Sequence, residues 1–520
     1  MTSSLPPAKR FTRQANTDPA RLLAVEALAE IEAKALFANL VLPRLLREKQ
    51  ASDPKFRFRD AAFTSEIVYG TIRWRGYLDF YLGHLCSRQL NQLDLLVWQC
   101  LRVGAYQILF MRVPDHAAVS ETVEVARQLC GEAPTKMING VLRSLLRQTP
   151  AQREELLNQI ADPLERYATQ YSHPLWAVAA FEQALTSRGL PFAELPEVLA
   201  ANNRTPQVTL VARPGLIDRG TLLEEAEEVL NYRAWEGEVS RFAVILEGGD
   251  PGAVNSIREG LAAVQDEGSQ LAATMLAQAK LELPDPSNSP ESAEATGSAK
   301  TMSPTELWAD LCAGPGGKTA LLAALGANSG NKVQVEACEI QPHRAKLVKI
   351  STRALDNVSV TAMDGREFGA PNRYDRVLVD APCLGLGSLR RRPESRWRHR
   401  DSDLDDLLPL QRELFDRARV IAKPGGLIAW VTCSPHVSET LDQVKYQVEC
   451  HGLELLDAVS LAEEVSPLPL GIGRGSKLQL VADSDREIVR RTVQLWPHRN
   501  GTDAMFIALL RKPIGNEVNQ

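Results

Sequence analysis

The sequence predicts a multidomain chain: an all-helical N-terminal part followed by an α/β domain on a mainly parallel sheet of seven strands. Three observations carry this. Residues 20–150 repeat apolar side chains at helical spacing and hold no glycine-rich loop. From Leu307 to about residue 512, short apolar runs alternate with helical patterns. Between the two regions the composition changes twice, first to a mixed pattern over 151–265 and then to a stretch almost without large apolar residues over 283–306.

The elements follow in chain order. Residues 1–19 are polar and read as a flexible N-terminus. "RLLAVEALAEIEAKALFANLVLPRLLRE" places Leu22, Val25, Leu28 and Ala29 on one helical face. "DLLVWQCLRVGAYQILFM" is a second long apolar helix that Pro114 stops, and Ser120 is the expected cap of a third. Residues 151–265 read as a mixed connector, with a helix around "PLWAVAAFEQAL" and a strand at "QVTLVA". The Pro-, Ser-, Glu- and Ala-rich 283–306 cannot bury enough surface to offset its ordering entropy and reads as a disordered insert in a domain spanning 266–512. The strand runs of that domain are "LWADLC", "VQVEACEI", "VSVTAMD", "DRVLVDAP", "GLIAWVTC", "LELLDA" and "MFIALL", and 513–520 is a tail.

Composition removes several classes of function. The chain of 520 residues is 44% hydrophobic and 24% charged, in the range of soluble proteins. It has no apolar run of about 18 residues for a membrane span and no apolar signal-peptide core, so a cytoplasmic chain is expected. Eight cysteines without a CxxC pair, and histidines without an HxxxH pair, point to reduced thiols, no disulfide framework and no metal. The absence of a coiled-coil pattern makes a monomer the expectation.

The net charge of −6 is unevenly spread, because residues 1–150 carry 20 Lys and Arg against 14 Asp and Glu. Within the acidic remainder lies "LRRRPESRWRHR", where Arg390, Arg391, Arg392, Arg396, Arg398 and Arg400 form a candidate phosphate-binding cluster. The plain alternative is a solvated arginine-rich loop.

Chemistry collects at the strand ends, where sheets of this kind bind ligands. "DLCAGPGGKT" follows the first strand and opens a helix. Cys312, Ala313, Gly314, Pro315, Gly316, Gly317 and Lys318 form a loop whose glycines allow a ligand to approach the backbone. Cys312 stands where a Walker loop needs its first glycine, and the spacing is not GxGxxG. A nucleoside ligand such as S-adenosylmethionine remains. Glu339 at the second strand end suits ribose hydroxyls, and Asp364 at the third suits adenine. Asp380, Pro382 and Cys383 end the fourth strand, and Cys433 in "VTCSPH" ends the fifth. A cysteine is more often a packing residue than a nucleophile. Two of them at adjacent strand ends beside a cofactor loop reverse that preference.

In this order "DLCAGPGGKT", "EIQPHR", "MDGREF", "DAPCLGLG" and "VTCSPH" resemble the NOL1/NOP2/Sun family of RNA cytosine-C5 methyltransferases. The helical start, "VQDEGSQLAA", "LRRRPESRW" and "QLWPHRNGTDAMFIALLRK" resemble its Sun/Fmu branch, which joins a NusB-like RNA-binding domain to a Rossmann-like methyltransferase domain and acts on 16S ribosomal RNA. The resemblance implies a cofactor loop at Cys312–Lys318, ribose and adenine contacts at Glu339 and Asp364, and a substrate-side acid, Asp380, that also borders the cofactor. It makes Cys433 the nucleophile and Cys383 the cysteine that helps to resolve the adduct. Two positions depart from the family pattern: Glu339 where aspartate is commoner, and Gly314 where alanine is frequent, a difference that reads as small. Glu439 keeps the pattern of the helix after Cys433.

The implied reaction is addition of a Cys433 thiolate to carbon 6 of cytosine, methylation at carbon 5, and release. The alternatives are a transfer RNA cytosine methyltransferase and a non-catalytic RNA-binding ribosome-assembly factor. A thiol-redox role lacks a CxxC spacing.

Overall fold

A computed structural model describes residues 17–282, 305–472 and 481–514. Nearly all of the expected insert, 283–304, lies outside these residues, as do 1–16 and 515–520. The insert's last residue, Glu306, opens a strand. The chain divides into two compact units: Met1–Ala179 with Arg391–Arg400, and Ala180–Arg390 with Asp401–Gln520. The stretch expected as a connector therefore divides between them.

The first unit is helical. Its main helices are α1 (Pro19–Ala33), α2 (Ala38–Ser52), α3 (Phe58–Arg73), α4 (Arg75–Leu85), α5 (Leu95–Phe110), α6 (Asp115–Cys130) and α7 (Thr135–Arg147). Each hides one apolar stripe, and Val25, Leu28, Ile67, Leu101 and Leu142 meet in a common core. Asp18 caps α1 by accepting the Arg21 N–H at 2.8 Å. Ser120 is not a cap: α6 begins at Asp115, directly after Pro114, so Ser120 lies inside it.

The second unit holds two sheets. The smaller is antiparallel, with strands β1 (Val208–Ala212), β2 (Ala234–Glu236), β3 (Ala243–Leu246) and β4 (Ala262–Val264) in the order β2-β3-β1-β4. The larger contains β5 (Glu306–Asp310), β6 (Val333–Cys338), β7 (Val358–Thr361), β8 (Tyr374–Asp380), β9 (Ala422–Thr432), β10 (Glu454–Leu455), β11 (Val493–Gln494) and β12 (Phe506–Arg511). Its order is β10-β12-β9-β8-β5-β6-β7, with β11 paired to β12. Strands β5 to β9 are parallel, and β12 runs antiparallel to β9. Among the described residues the larger sheet thus has eight strands rather than the expected seven; the additional one, β11, is a two-residue pairing with Phe506 and Ile507. Buried runs such as Val377–Val379 and Leu427–Val431 explain why these strands read as continuous apolar stretches. No helix among the described residues is long and apolar enough to cross a membrane, and no three metal-ligating side chains cluster there.

Candidate active site

The parallel neighbours β8 and β9 deliver the two expected cysteines together. Asp380 pairs with Val431 in register, and the Ala381 N–H donates to the Val431 carbonyl at 2.9 Å. The strands therefore run side by side until each turns off, and Cys383 Sγ lies 3.5 Å from Cys433 Sγ. Three further residues fasten the turns. The Gly387 N–H donates to the Cys433 carbonyl at 2.8 Å, and a Cβ at Gly387 would lie 2.1 Å from the Ala504 carbonyl oxygen, so only glycine fits. Buried Glu439 accepts the Leu384 N–H at 2.9 Å and the Gln411 amide at 3.1 Å. Gln411 also donates to the Pro382 carbonyl at 2.8 Å. Gln411 and Gly387 were not singled out from sequence; an amide inside an amphipathic helix and one glycine of a glycine-rich turn give no separate signal.

The four cysteines at the strand ends differ. Burial pushes Cys312 well above the ordinary thiol range and Cys338 up to about 12, so both stay protonated packing residues. Cys383 is also raised well above its ordinary value, first by its hydrogen bond with Cys433, then by burial and by the charges of Cys433 and Glu439. Either sulfur of the pair can donate to the other.

Beside the pair, the Lys318 ammonium donates to Asp380 Oδ2 at 2.8 Å. Burial alone would lower the lysine pKa. The charges of Asp380, Cys433 and Asp310 together outweigh burial and raise it. A cation thus pairs with a carboxylate and also feels the charge of the candidate nucleophile. Asp310 at the end of β5 is buried and accepts the Thr319 hydroxyl at 2.7 Å and the Cys312 N–H at 3.3 Å. Burial, reinforced by the nearby Asp380 charge, drives its carboxyl up to about 7 despite these bonds.

The loop from Cys312 to Lys318 turns from β5 into the helix Gly317–Ala327. The Ala313 N–H donates to the Cys338 carbonyl at 2.9 Å, and Gly316 adopts φ +106°, a conformation that favours glycine. Glu339 is 3% exposed and accepts the Gly314 N–H at 3.1 Å and the Gln341 N–H at 3.0 Å. A Cβ on Gly314 would lie 2.1 Å from Glu339 Oε2 and 2.9 Å from Arg344 Nε. The change from alanine to glycine at 314 is therefore not small, because the longer glutamate at 339 fills the space a methyl group would need. Asp364 lies past β7, where Arg366 holds it with contacts of 3.0 and 2.6 Å and lowers its pKa.

The arginine cluster does not act as one group. Arg396 is 0% exposed and donates to the Ser172 carbonyl at 2.9 Å and the Arg73 carbonyl at 3.4 Å. Arg390 is 7% exposed and faces Asp503 at 3.4 Å. The expectation that these two contact phosphates is therefore corrected: their guanidinium groups satisfy buried oxygens instead. Arg391 is half-buried, while Arg392, Arg398 and Arg400 are exposed. Arg392 and Arg398 stand over the Phe37 ring at 5.8 and 3.8 Å. Arg398 and Arg400 also help to line a cavity of about 340 Å³ in the helical unit, with Arg75, Arg102 and Trp397. No strand-end residue is among those lining that cavity.

Comparison with known proteins places this arrangement. Residues 299–511 match the 16S rRNA methyltransferase RsmB/F family, and residues 18–147 match the NusB family. The chain is thus a methyltransferase with a NusB-type helical domain. A Mycobacterium tuberculosis methyltransferase homologue is 41% identical over 513 residues, covering 97% of this chain and 99% of its own. Ribosomal RNA small subunit methyltransferase B of Yersinia pestis is 30% identical over 443 residues, covering 84% and 91%. With that extent of likeness, the chain belongs to the RsmB/F methyltransferase family. The crystal structure of PH0851 shares the fold, with a TM-score of 0.71 at 20% identity over 96% of this chain and 100% of that one.

Proposed function

We propose that the protein methylates carbon 5 of a cytosine in 16S ribosomal RNA, using S-adenosylmethionine and a transient bond between Cys433 and carbon 6 of the base. The observation that carries this reading is the 3.5 Å approach of Cys383 and Cys433 at adjacent strand ends, beside the Lys318–Asp380 pair. The residues present fit the cofactor. Gly316 opens the backbone at a helix start, and the Glu339 carboxylate, which accepts the Gly314 and Gln341 N–H groups and pairs with Arg344 at 3.4 Å, keeps lone pairs for ribose hydroxyls. When bound, S-adenosylmethionine supplies an electrophilic methyl group on a positively charged sulfur.

Carbon 5 of cytosine is a weak nucleophile until a group adds at carbon 6. The Cys433 thiolate makes that addition, stabilised by the neighbouring ammonium of Lys318. Asp380 serves to hydrogen-bond or protonate N3 of the base, which draws charge from the ring. Carbon 5 then takes the methyl group from the sulfonium, its proton passes to solvent as the C5–C6 double bond re-forms, and the carbon–sulfur bond breaks with its electrons returning to Cys433. The Cys383 thiol is held beside that sulfur and assists its release. The target base must be extruded from any helix to reach the cysteines, and the exposed Arg392 and Arg398 can meet RNA phosphates.

The test is methyl transfer from labelled S-adenosylmethionine to 16S rRNA, with the product mapped by bisulfite sequencing. Cys433→Ala should lower transfer by about a thousandfold or more while cofactor binding by calorimetry stays unchanged. Normal turnover by this variant refutes the nucleophile, and a product other than 5-methylcytosine refutes the reaction.

A further inference from the structure

Gln265 lies between β4 and the helix Glu267–Gln278, and its main chain is clamped on both sides. Its N–H donates to the Thr209 carbonyl at 2.9 Å, and its carbonyl accepts the Gln270 amide at 2.9 Å. The side chain is 7% exposed. Neither its Oε1 nor its Nε2 has a hydrogen-bond partner. Other buried amides among the described residues, such as Gln411 and Gln447, lack a partner only on the oxygen. An unpaired buried amide is costly, about 1–3 kcal/mol for each polar atom left without a partner. A protein seldom keeps two on one side chain without a use.

The unpaired amide is aimed at the cofactor loop. A methyl group added at Gly317 would lie 3.5 Å from Gln265 Cδ and 3.6 Å from Nε2. Gly317 is the first residue of the helix Gly317–Ala327, whose N-terminus carries partial positive charge and unpaired N–H groups. The two carboxylates suited to the nucleoside, Glu339 and Asp364, follow β6 and β7. Gln265 instead meets the loop at the helix start.

We propose that Gln265 binds the amino-acid end of the cofactor, accepting from its ammonium through Oε1 and donating to its carboxylate through Nε2. This rests on the S-adenosylmethionine reading above. An amide is the neutral group that matches a zwitterion on both sides: it offers one acceptor and one donor, with no net charge to repel either end. The helix N-terminus adds a second set of donors for the carboxylate. Gln265 is a binding and positioning residue, since it holds the end of the cofactor that does not react.

The experiment compares two ligands in calorimetry with the full chain. S-adenosylhomocysteine carries the amino-acid end, and 5′-methylthioadenosine lacks it. Gln265→Met, close in size and without polar atoms, should weaken S-adenosylhomocysteine roughly 10- to 100-fold, the loss expected for hydrogen bonds to charged groups. Its affinity for 5′-methylthioadenosine should change less than about threefold, within the range of a neutral surface substitution. The melting temperature of the ligand-free variant should hold or rise, because two unpaired buried atoms are removed. Equal weakening of both ligands, or unchanged affinity for both, overturns the proposal. A lower melting temperature with an unchanged ratio of affinities would assign Gln265 a purely structural role. Failure of the unaltered protein to bind S-adenosylhomocysteine at all would count against the cofactor reading itself and is distinguishable from these outcomes.

Discussion

The strand ends from Asp380 to Cys433 and the arginine-rich segment from Arg390 to Arg400 were equally conspicuous in the sequence, yet they behave differently. At the strand ends, residues of one type separate by environment around one centre: Cys312 and Cys338 are held as protonated thiols, while Cys383 and Cys433 share a contact. In the arginine segment, residues of one type separate by destination. Arg396 and Arg390 turn inward to oxygens of the protein, and Arg392 and Arg398 remain at the surface against Phe37. A parallel sheet fixes where a strand end points, so chemistry at strand ends is readable. An arginine's long side chain lets the fold decide afterwards which guanidinium is structural.

The largest effect that sharpens this contrast is at Asp310. Its carboxyl is held up to about 7, chiefly by burial, against about 3.9 in an unfolded chain. Between these values the folded protein keeps a proton that the unfolded chain has released, so stability falls as pH rises from about 4 to about 7 and then levels. At its steepest, this one group contributes roughly 1.4 kcal/mol per pH unit. Asp310→Asn keeps the shape and cannot ionise; urea melts across that range should lose this component of the slope. An unchanged slope would mean that Asp310 ionises in the folded state near the ordinary carboxyl range.

The parts of the fold that could be read were those with a period or a punctuating residue. Alternating strand and helix runs located β5 to β9, and the glycine turn and two cysteines marked the ends of three of them. The two-residue β11 carries no period of its own and exists because Phe506 and Ile507 of β12 offer it an edge. Ser120 looked like a cap because serine often is one, but Pro114 takes the cap position and α6 begins six residues earlier than a Ser120 cap would allow. Gln265 and Gln411 were invisible for a different reason: their use lies in where an amide points, which no pattern along the chain encodes.

The next effect separates the arginines from one another. Arg396→Ala removes a fully buried guanidinium and leaves the Ser172 and Arg73 carbonyls without that donor, which should destabilise the helical unit by about 3 kcal/mol. Arg392→Ala should leave the melting temperature within about 1 °C. If Arg392 meets a phosphate, its loss should weaken 16S rRNA binding a few-fold and reduce the slope of log affinity against log salt by about one. Thermal melts and filter binding at several salt concentrations distinguish the two. Equal destabilisation by both substitutions would erase the distinction between inward and outward arginines.

The smallest effect tests whether the strand-end site is coupled internally as tightly as its geometry suggests. Glu339 reaches across the loop to accept the Gly314 N–H, and only glycine leaves room for it. Gly314→Ala alone should push the carboxylate from its position and weaken S-adenosylhomocysteine about tenfold, equivalent to about 1.4 kcal/mol. Glu339→Asp alone shortens the side chain away from that N–H and should cost less. Together the two changes fit again, because the shorter acid vacates the volume the new methyl group occupies. The double variant should therefore bind within about threefold of the unaltered protein, a coupling of about 1 kcal/mol or more between the positions. Simple addition of the two losses would mean that the carboxylate can move aside at little cost, and that glycine at 314 serves the turn rather than its neighbour.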